Sequence, residues 1–508
     1  MLGRSTGAVL LGIEAHLIDV EADLGGGLPR LVTVGLPDAA VREGIDRIRA
    51  ALRHTRFTLP DGRITINLAP AEVRKQGASL DLAMAAAMLQ VDGQLPPIDA
   101  RAVVLAGELG LDGSLRPVRG ALSIALAARA AGKRALLLPV ANAGEAELVE
   151  GLRIVPISSL ADVAAFATGE PIEAFVVDGR ALLHEADRQP VVGDLSEVRG
   201  QAAARRALEI AAAGGHHLLL SGPPGAGKTM LARRLPGILP PLELDEAVEV
   251  TRVFSAAGLS RGLVCRRPFR APHHAISFAG LTGGGRRLRP GEISLATHGV
   301  LYLDELPEFR RDALEALRQP LEEGSITVVR VQGAATFPAA FSLVASMNPC
   351  NCGFHGSPDG RCGCSPTEIR RYRARLSGPL LDRFDLMVDV PPIDLAVLGR
   401  AANGESSAVV RDRVVAARSR QRERFGADGP SCNARMGPAE LDRHTVLDRD
   451  ARRLLLAAGQ RMGLSARGYD RVRRVARTLA DLEGRETLAA CDVAEALQYR
   501  KSAALGRD

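Results

Sequence analysis

The chain contains no tryptophan, and aromatic residues make up only 3% of its 508 positions. That scarcity excludes a platform of rings on which unpaired bases stack. A grip on nucleic acid therefore has to run through phosphates. Long apolar runs are missing too: none reaches the roughly 18 residues of a membrane span. The opening "MLGRSTGAVLLGIEAHLIDVEAD" has a short apolar stretch followed at once by Glu14, His16, Asp19 and Glu21, unlike a secretory signal. Seven cysteines is an odd number, and four of them crowd one segment, which excludes a disulfide-stapled secreted scaffold. We read a cytoplasmic protein with no membrane contact. Its formal charge of +6 permits a nucleic-acid partner without requiring one.

What is present is ample core material, 46% hydrophobic, in a length that suggests two to four domains. Residues 1–170 alternate β-type runs (Leu31–Val34, Ile64–Leu68, Ala102–Ala106, Ala135–Pro139) with Ala-rich helical runs (Ser79–Gln90, Ala121–Ala131). Residues 171–193 lack periodicity and read as a linker. Strands and helices alternate again over 194–392, with an insertion at 250–298; an Arg-rich connector of helix and loop follows at 393–440, and 441–508 reads as a helical bundle. The fold class is α/β.

"HHLLLSGPPGAGKTMLARRL" places Gly222, Pro223, Pro224, Gly225, Ala226, Gly227, Lys228 and Thr229 between a β-run and a helix. Such a loop turns its backbone N–H groups inward around phosphates. Lys228 would neutralise the β- and γ-phosphates, and the Thr229 hydroxyl would sit on Mg²⁺. The bland alternative is a Gly/Pro turn that binds nothing. Further on, "HGVLYLDELPEF" drives an apolar run, Val300–Leu303, straight into Asp304 and Glu305. We expect a buried strand of the same sheet, with Asp304 on Mg²⁺ and Glu305 polarising the attacking water. The alternative is a pair of acids that caps a helix. "FSLVASMNP" ends at Asn348, beside the expected water and γ-phosphate. "SGPLLDRFD" offers Arg383, either an arginine supplied to a neighbouring subunit's ATP or a local partner of Asp382 or Asp385.

"CNCGFHGSPDGRCGC" carries Cys350, Cys352, Cys362 and Cys364. Two C-x-C pairs suit a tetrahedral Zn²⁺ site, with His355 able to replace one thiolate, or equally four reduced thiols in a compact loop. Two arginine clusters are candidates for DNA phosphates: Arg286, Arg287 and Arg289 after a triple glycine, and Arg330 beside the turn of a hairpin, "ITVVRVQGAATF". Solvated faces or salt bridges between subunits would explain them as well.

Taken in order, these motifs resemble the AAA+ ATPases. "VRGQ", "RPFRAPHH", "GGGRRLRPGEISLATHGVLYLDEL", "NPCNCG", "SGPLLDRFD" and "LSARGYDRVRRVARTLADL" narrow the likeness to the Mg-chelatase-like ComM/YifB family, akin to the MCM helicases. The resemblance implies an AAA+ P-loop core with a helical lid, using ATP and Mg²⁺. It makes Arg467 a second sensor arginine that reaches ATP from the lid. It implies a hexameric ring that binds single-stranded or branched DNA and drives branch migration during natural transformation, alongside recombination proteins. The other reading is a chelatase-like remodeller of a protein partner, without DNA. The first domain resembles the Lon-protease fold, of ribosomal-protein-S5 type. "QGASLDLAMAAAML" places Ser79 at the nucleophile, but Leu122 occupies the position of the lysine base. Without that base the serine is a weak nucleophile, so an inactive domain is expected, with Ser79 as a helix N-cap.

Overall fold

The computed structural model describes residues 2–28, 30–173, 176–189, 193–259, 262–285, 288–330, 333–356, 360–393 and 404–500. Its first sheet takes four strands, β1 (Leu2–Leu11), β2 (Glu14–Gly25), β3 (Arg30–Val34) and β4 (Arg63–Ala69), in the order β1-β2-β4-β3. β1 and β2 form a long antiparallel hairpin, from Leu2↔Asp23 to Leu11↔Glu14, which the sequence reading did not anticipate. Its apolar residues do not alternate cleanly, because one stretch, Ser5–Val9, is buried on both faces. The helix Asp81–Val91 covers this sheet and is buried on every side but at Gln90. It comes close because Gly3 and Gly7 face it: a Cβ on Gly3 would lie 2.0 Å from the Ala87 carbonyl oxygen.

Ser79 does not cap that helix. Leu80 holds the cap position without a side-chain bond, and the Ser79 hydroxyl donates instead to the Ala8 carbonyl on β1, at 2.7 Å. Asp81 explains the difference: its buried carboxylate pairs with Arg47 at 2.7 Å and accepts from the Leu109 N–H, anchoring the first turn from the side. Leu122 is fully buried among Ile124, Leu136 and Leu138.

A second, parallel sheet orders β5 (Val103–Leu105), β8 (Ala135–Pro139) and β9 (Arg153–Ile157) side by side, with a small ribbon of β6 (Glu108–Leu109) and β7 (Leu115–Arg116). The stretch read as a linker contains a helix, Gly179–Arg188, capped by Asp178. Its leucines fall on one side of the helix, but it buries none of its residues.

The main sheet is five-stranded and wholly parallel. β10 (Leu218–Ser221), β11 (Phe269–Arg270), β14 (Val300–Leu303), β17 (Ser342–Met347) and β18 (Leu386–Asp389) run in the order β11-β14-β17-β10-β18. β11 comes from within the expected insertion and forms one edge. Parallel strands buried on both faces read as continuous apolar runs, as "LLL" and "VLYL" do. A ribbon of β12 (Gly283–Gly284) and β13 (Arg289–Pro290) lies beside the hairpin of β15 (Ser325–Arg330) and β16 (Gly333–Pro338).

The helix Ser407–Phe425, in the Arg-rich connector, packs Val410, Val414 and Ala417 into the same core as the helix Ala202–Gly214. The terminal helices Arg449–Met462, Ala466–Leu482 and Ala490–Gln498 close over that core. Asp481, fully buried in them, accepts from Arg477 at 3.1 Å, Arg424 at 2.9 Å and Asn433 at 2.7 Å. A buried carboxylate survives only with such company. None of the described helices is long and apolar enough to cross a membrane.

Candidate nucleotide site

β10 delivers the chain to the carboxyl edge of the main sheet, where "GPPGAGKT" turns back into the helix Lys228–Ile238. Gly222 passes so close to its neighbour that a Cβ would lie 2.1 Å from the Val390 carbonyl oxygen. Gly225 and Gly227 take φ of +78° and +88°, which only glycine adopts without strain, and space is open beside both. The loop wraps a cleft of about 400 Å³, also lined by Asp304, Glu305 and Asn348. An eleven-residue helix starting at Lys228 directs its unpaired N–H groups and positive dipole end at that space.

Lys228 folds back over the loop. Its Nζ donates to the Gly222 carbonyl at 2.6 Å, the Pro223 carbonyl at 2.8 Å and Asn348 Oδ1 at 3.1 Å. Burial pulls its pKa down to about 8, against the opposing pull of Asp304 and Glu305. An ammonium held this way is short of negative charge, which a triphosphate supplies.

At the end of β14, Asp304 Oδ2 accepts from Thr229 Oγ1 at 3.0 Å, and Oδ1 accepts from the Ser346 hydroxyl and, at 3.1 Å, from the Glu305 N–H. Burial acts to raise the Asp304 carboxyl, but the bonds from Ser346, Thr229 and Tyr302 outweigh it and hold it below the usual range. Tyr302 and Ser346 complete the group: the Tyr302 hydroxyl lies 3.2 Å from Thr229 Oγ1 and 3.1 Å from Ser346 Oγ. The sequence reading missed both. Their role shows only when β14 and β17 pair side by side.

Glu305 differs from its neighbour. Its side chain is 56% exposed, and His274 Nδ1 is 3.9 Å from Oε2. Its φ of +52° is left-handed, a conformation that costs a non-glycine residue on the order of 1–3 kcal/mol. The kink turns the carboxylate out of the strand and into the cleft.

The structure does not bring Arg383 or Arg467 to this cleft. They share a second pocket with Asp385, Arg471 and His217. His217 and Asp385 immediately precede β10 and β18, so that pocket lies at the amino edge of the sheet, while the phosphate loop follows the carboxyl edge. A four-residue strand separates the edges by about 13 Å. Arg467 therefore does not reach its own chain's loop, contrary to expectation. The cause is the anchoring of helix Ala466–Leu482, whose Arg471 lies 3.6 Å from Asp385. Arg383 is buried and pairs with Glu322 at 2.5 Å, rather than with Asp382 or Asp385.

The four sulfurs of Cys350, Cys352, Cys362 and Cys364 all lie within 4.8 Å of one another. His355 is not part of that group; its backbone N–H donates to Cys350 Sγ at 3.3 Å. Arg330 lies over Gly284, close enough that a Cβ there would be 3.3 Å from its Nε, and Arg289 is exposed on the strand paired with Gly284. The two candidate arginine segments thus adjoin. Arg286 and Arg287 lie outside the described residues.

Comparison with known proteins fits this architecture. The family of magnesium chelatase subunit ChlI matches residues 194–398, a second ChlI family matches 20–142, and the ChlI C-terminal family matches 404–500. The competence protein ComM of Haemophilus influenzae is 44% identical over 497 residues, 96% of each chain. YifB of Escherichia coli is 41% identical over 500 residues, covering 96% of this chain and 95% of its own. A protein of Mycobacterium tuberculosis is 44% identical over 508 residues, 99% of each. The cleft, the parallel sheet and near full-length identity lead to one assignment: this chain belongs to the Mg-chelatase-like AAA+ ATPase family of ComM and YifB.

Proposed function

We propose that the protein is an ATP-dependent DNA motor, a hexameric helicase that promotes branch migration of recombination intermediates during natural transformation. The observation that carries this reading is the split site. Lys228, Thr229, Asp304, Glu305 and Asn348 converge at one edge of the sheet, while Arg383 and Arg467 gather at the other. A ring in which each copy sets its arginine edge against the next copy's cleft completes both halves at once.

The cleft fits ATP and Mg²⁺ on its own chemistry. Thr229 and Asp304 offer the oxygen donors a hard cation takes, and Lys228 with the loop amides offers charge and N–H groups for phosphates. Mg²⁺ held by Thr229 and Asp304 would supply charge neutralisation at the phosphates. Within the chain, Asn348 and Glu305 have separate tasks. Asn348 holds the Lys228 ammonium and orients the water; the Glu305 carboxylate takes the proton as that water attacks. Arg383 and Arg467 come from the neighbouring copy to meet the charge that develops on the γ-phosphoryl oxygens. Zn²⁺ at Cys350, Cys352, Cys362 and Cys364 belongs to the same proposal.

We assign the chain in this reading as an inactive Lon-like, S5-type domain over 1–170, a connecting segment 171–193, the ATPase core 194–392 with its insertion 250–298, a connector 393–440 and a lid 441–508. Inactivity is supported by the Ser79 hydroxyl bonding a backbone carbonyl and by buried Leu122 in place of a base. DNA is supported by the adjoining segments of Arg289 and Arg330 and by the competence role in the name of the Haemophilus relative. A remodeller of a protein partner would use the same cleft without those arginines.

The discriminating experiment is ATP hydrolysis with and without four-way-junction DNA, together with strand exchange on that junction. Strong stimulation and exchange by wild type, absent in Glu305→Gln, supports the motor. Full hydrolysis indifferent to DNA supports the remodeller.

A further inference from the structure

We infer that Cys350, Cys352, Cys362 and Cys364 bind one Zn²⁺ as a clamp that fixes Asn348 and the roof of the phosphate loop in their nucleotide-binding positions. The zinc half of this inference stands on the thiols alone; the clamp half rests on the nucleotide reading above.

The sulfur geometry is that of a ligand shell. Zinc–thiolate bonds of about 2.3 Å arranged tetrahedrally put sulfurs about 3.8 Å apart. Here Cys350 lies 3.3 Å from Cys352 and 3.7 Å from Cys362, and Cys352 lies 3.6 Å from Cys362. A disulfide would need about 2.0 Å, and all four cysteines are free. Four uncharged thiols have little reason to converge from two turns: each sulfur is a weak donor and a weak acceptor. Thiolates without a cation would repel one another. Tetrahedral coordination by a soft-accepting cation satisfies both conditions, and an all-sulfur shell selects zinc or an iron–sulfur centre over magnesium.

Several interactions tie this knuckle to the nucleotide cleft. Asn348, which holds Lys228 at 3.1 Å, stands two residues before the fully buried Cys350. Gly353 bonds back to the Cys350 carbonyl at 3.1 Å and lies against the phosphate loop: a Cβ on it would be 2.6 Å from Pro224 Cδ and 3.8 Å from Asn348 Cγ. After Cys364 the chain enters the helix Pro366–Arg373 through a capping box of Ser365 and Glu368, and Tyr372 on that helix receives the Asn348 backbone N–H. The knuckle is therefore pinned to Asn348 from both ends. Holding four cysteines of one loop in fixed positions costs conformational entropy. Metal ligation offsets that cost, because the free energy of binding metal at a site that exists only when its ligands are in place is folding free energy.

The test uses full-length protein purified without an affinity tag. Plasma mass spectrometry should find one equivalent of zinc per chain; less than a tenth overturns the metal site. Replacing zinc with cobalt should give the visible bands of tetrahedral thiolate cobalt, lost in Cys362→Ser. Their absence in wild type also overturns the site. A fluorescent ATP analogue is then titrated into loaded, chelator-stripped and zinc-restored protein. Stripping should weaken binding by about tenfold, about 1.4 kcal/mol, and restored zinc should recover it, with circular dichroism unchanged. Gly353→Ala should keep its zinc and lose affinity. Unchanged affinity in the stripped protein, or its global unfolding, overturns the clamp. If the loaded protein binds no analogue, the nucleotide reading fails separately. Hydrogen exchange at 222–225 and 346–353 then decides the clamp: zinc-dependent protection supports it, indifference overturns it.

Discussion

The Thr229 hydroxyl and the Asp304 carboxylate stand 3.0 Å apart although 75 residues separate them in the chain. The parallel sheet brings them together, because β10 and β14 flank β17 and all three end at one edge. β17 adds Ser346, so the carboxylate is aimed by hydroxyls from two directions. Asp304→Ala removes the acceptor these donors share and the ligand proposed for the cation. We expect ATP-analogue affinity in this variant to lose its dependence on Mg²⁺, read by titrations with and without the ion. A dependence as strong as in wild type would assign the cation elsewhere.

Arg383 and Arg467 lie across the sheet from their own chain's phosphate loop, so they are expected to act on a neighbouring copy. Arg383→Ala should lower ATP hydrolysis by about 10³–10⁵-fold. The sharper test mixes two inactive proteins, Arg383→Ala and Glu305→Gln. In the proposed ring, mixed assemblies would contain interfaces with an intact Glu305 on one side and an intact Arg383 on the other. Hydrolysis should reappear on mixing. If it stays at the sum of the two variants, the arginine acts within its own chain.

Arg289 and Arg330 flank the same short ribbon. Reversing both to Glu should weaken duplex binding at all sequences alike. The slope of log affinity against log salt should shrink by about 0.9 for each phosphate no longer neutralised. Fluorescence anisotropy over a salt series measures it, and an unchanged slope would remove these residues from the DNA surface.

His298 sets the entry to β14. It takes a left-handed φ of +53°, with Nε2 2.5 Å from Glu249 and Nδ1 3.4 Å from Glu246, which Arg267 also meets at 2.8 Å. Burial opposes its charge, but hydrogen bonds and charges from the two glutamates outweigh burial and raise its pKa to about 9. A raised histidine stabilises the fold fully below its unfolded pKa of about 6.5, and that contribution is lost as pH rises through about 9. His298→Asn keeps a residue that tolerates the backbone. Its deficit in melting temperature should be constant below about pH 6.5 and shrink toward zero above about pH 9. A deficit that persists at high pH would assign His298 a packing role only.

Much of this was legible in the sequence, and the reasons are local. The phosphate loop could be read because glycine spacing, strand and helix all lie within twenty residues. The pairing of Ser325–Arg330 with Gly333–Pro338 could be read because buried and exposed residues alternate along both runs. The acid pair was readable because two carboxylates after a buried run have few structural uses. What escaped depended on tertiary placement. Tyr302 and Ser346 look like ordinary strand residues until β14 and β17 pair. Arg467 looks like a reach toward ATP until the lid's anchoring to Asp385 turns it to the other edge. Ser79 has a cap's composition, but the carbonyl of Ala8, 71 positions away, takes its hydroxyl.

Nucleotide binding and water activation are tested together by calorimetric titration of MgATP into Glu305→Gln, beside wild-type turnover. Saturable heat is expected in the variant, abolished by Lys228→Ala, with hydrolysis about 10²–10⁴-fold below wild type. No heat of binding in either protein, with or without magnesium, would refute the ATPase assignment of this cleft.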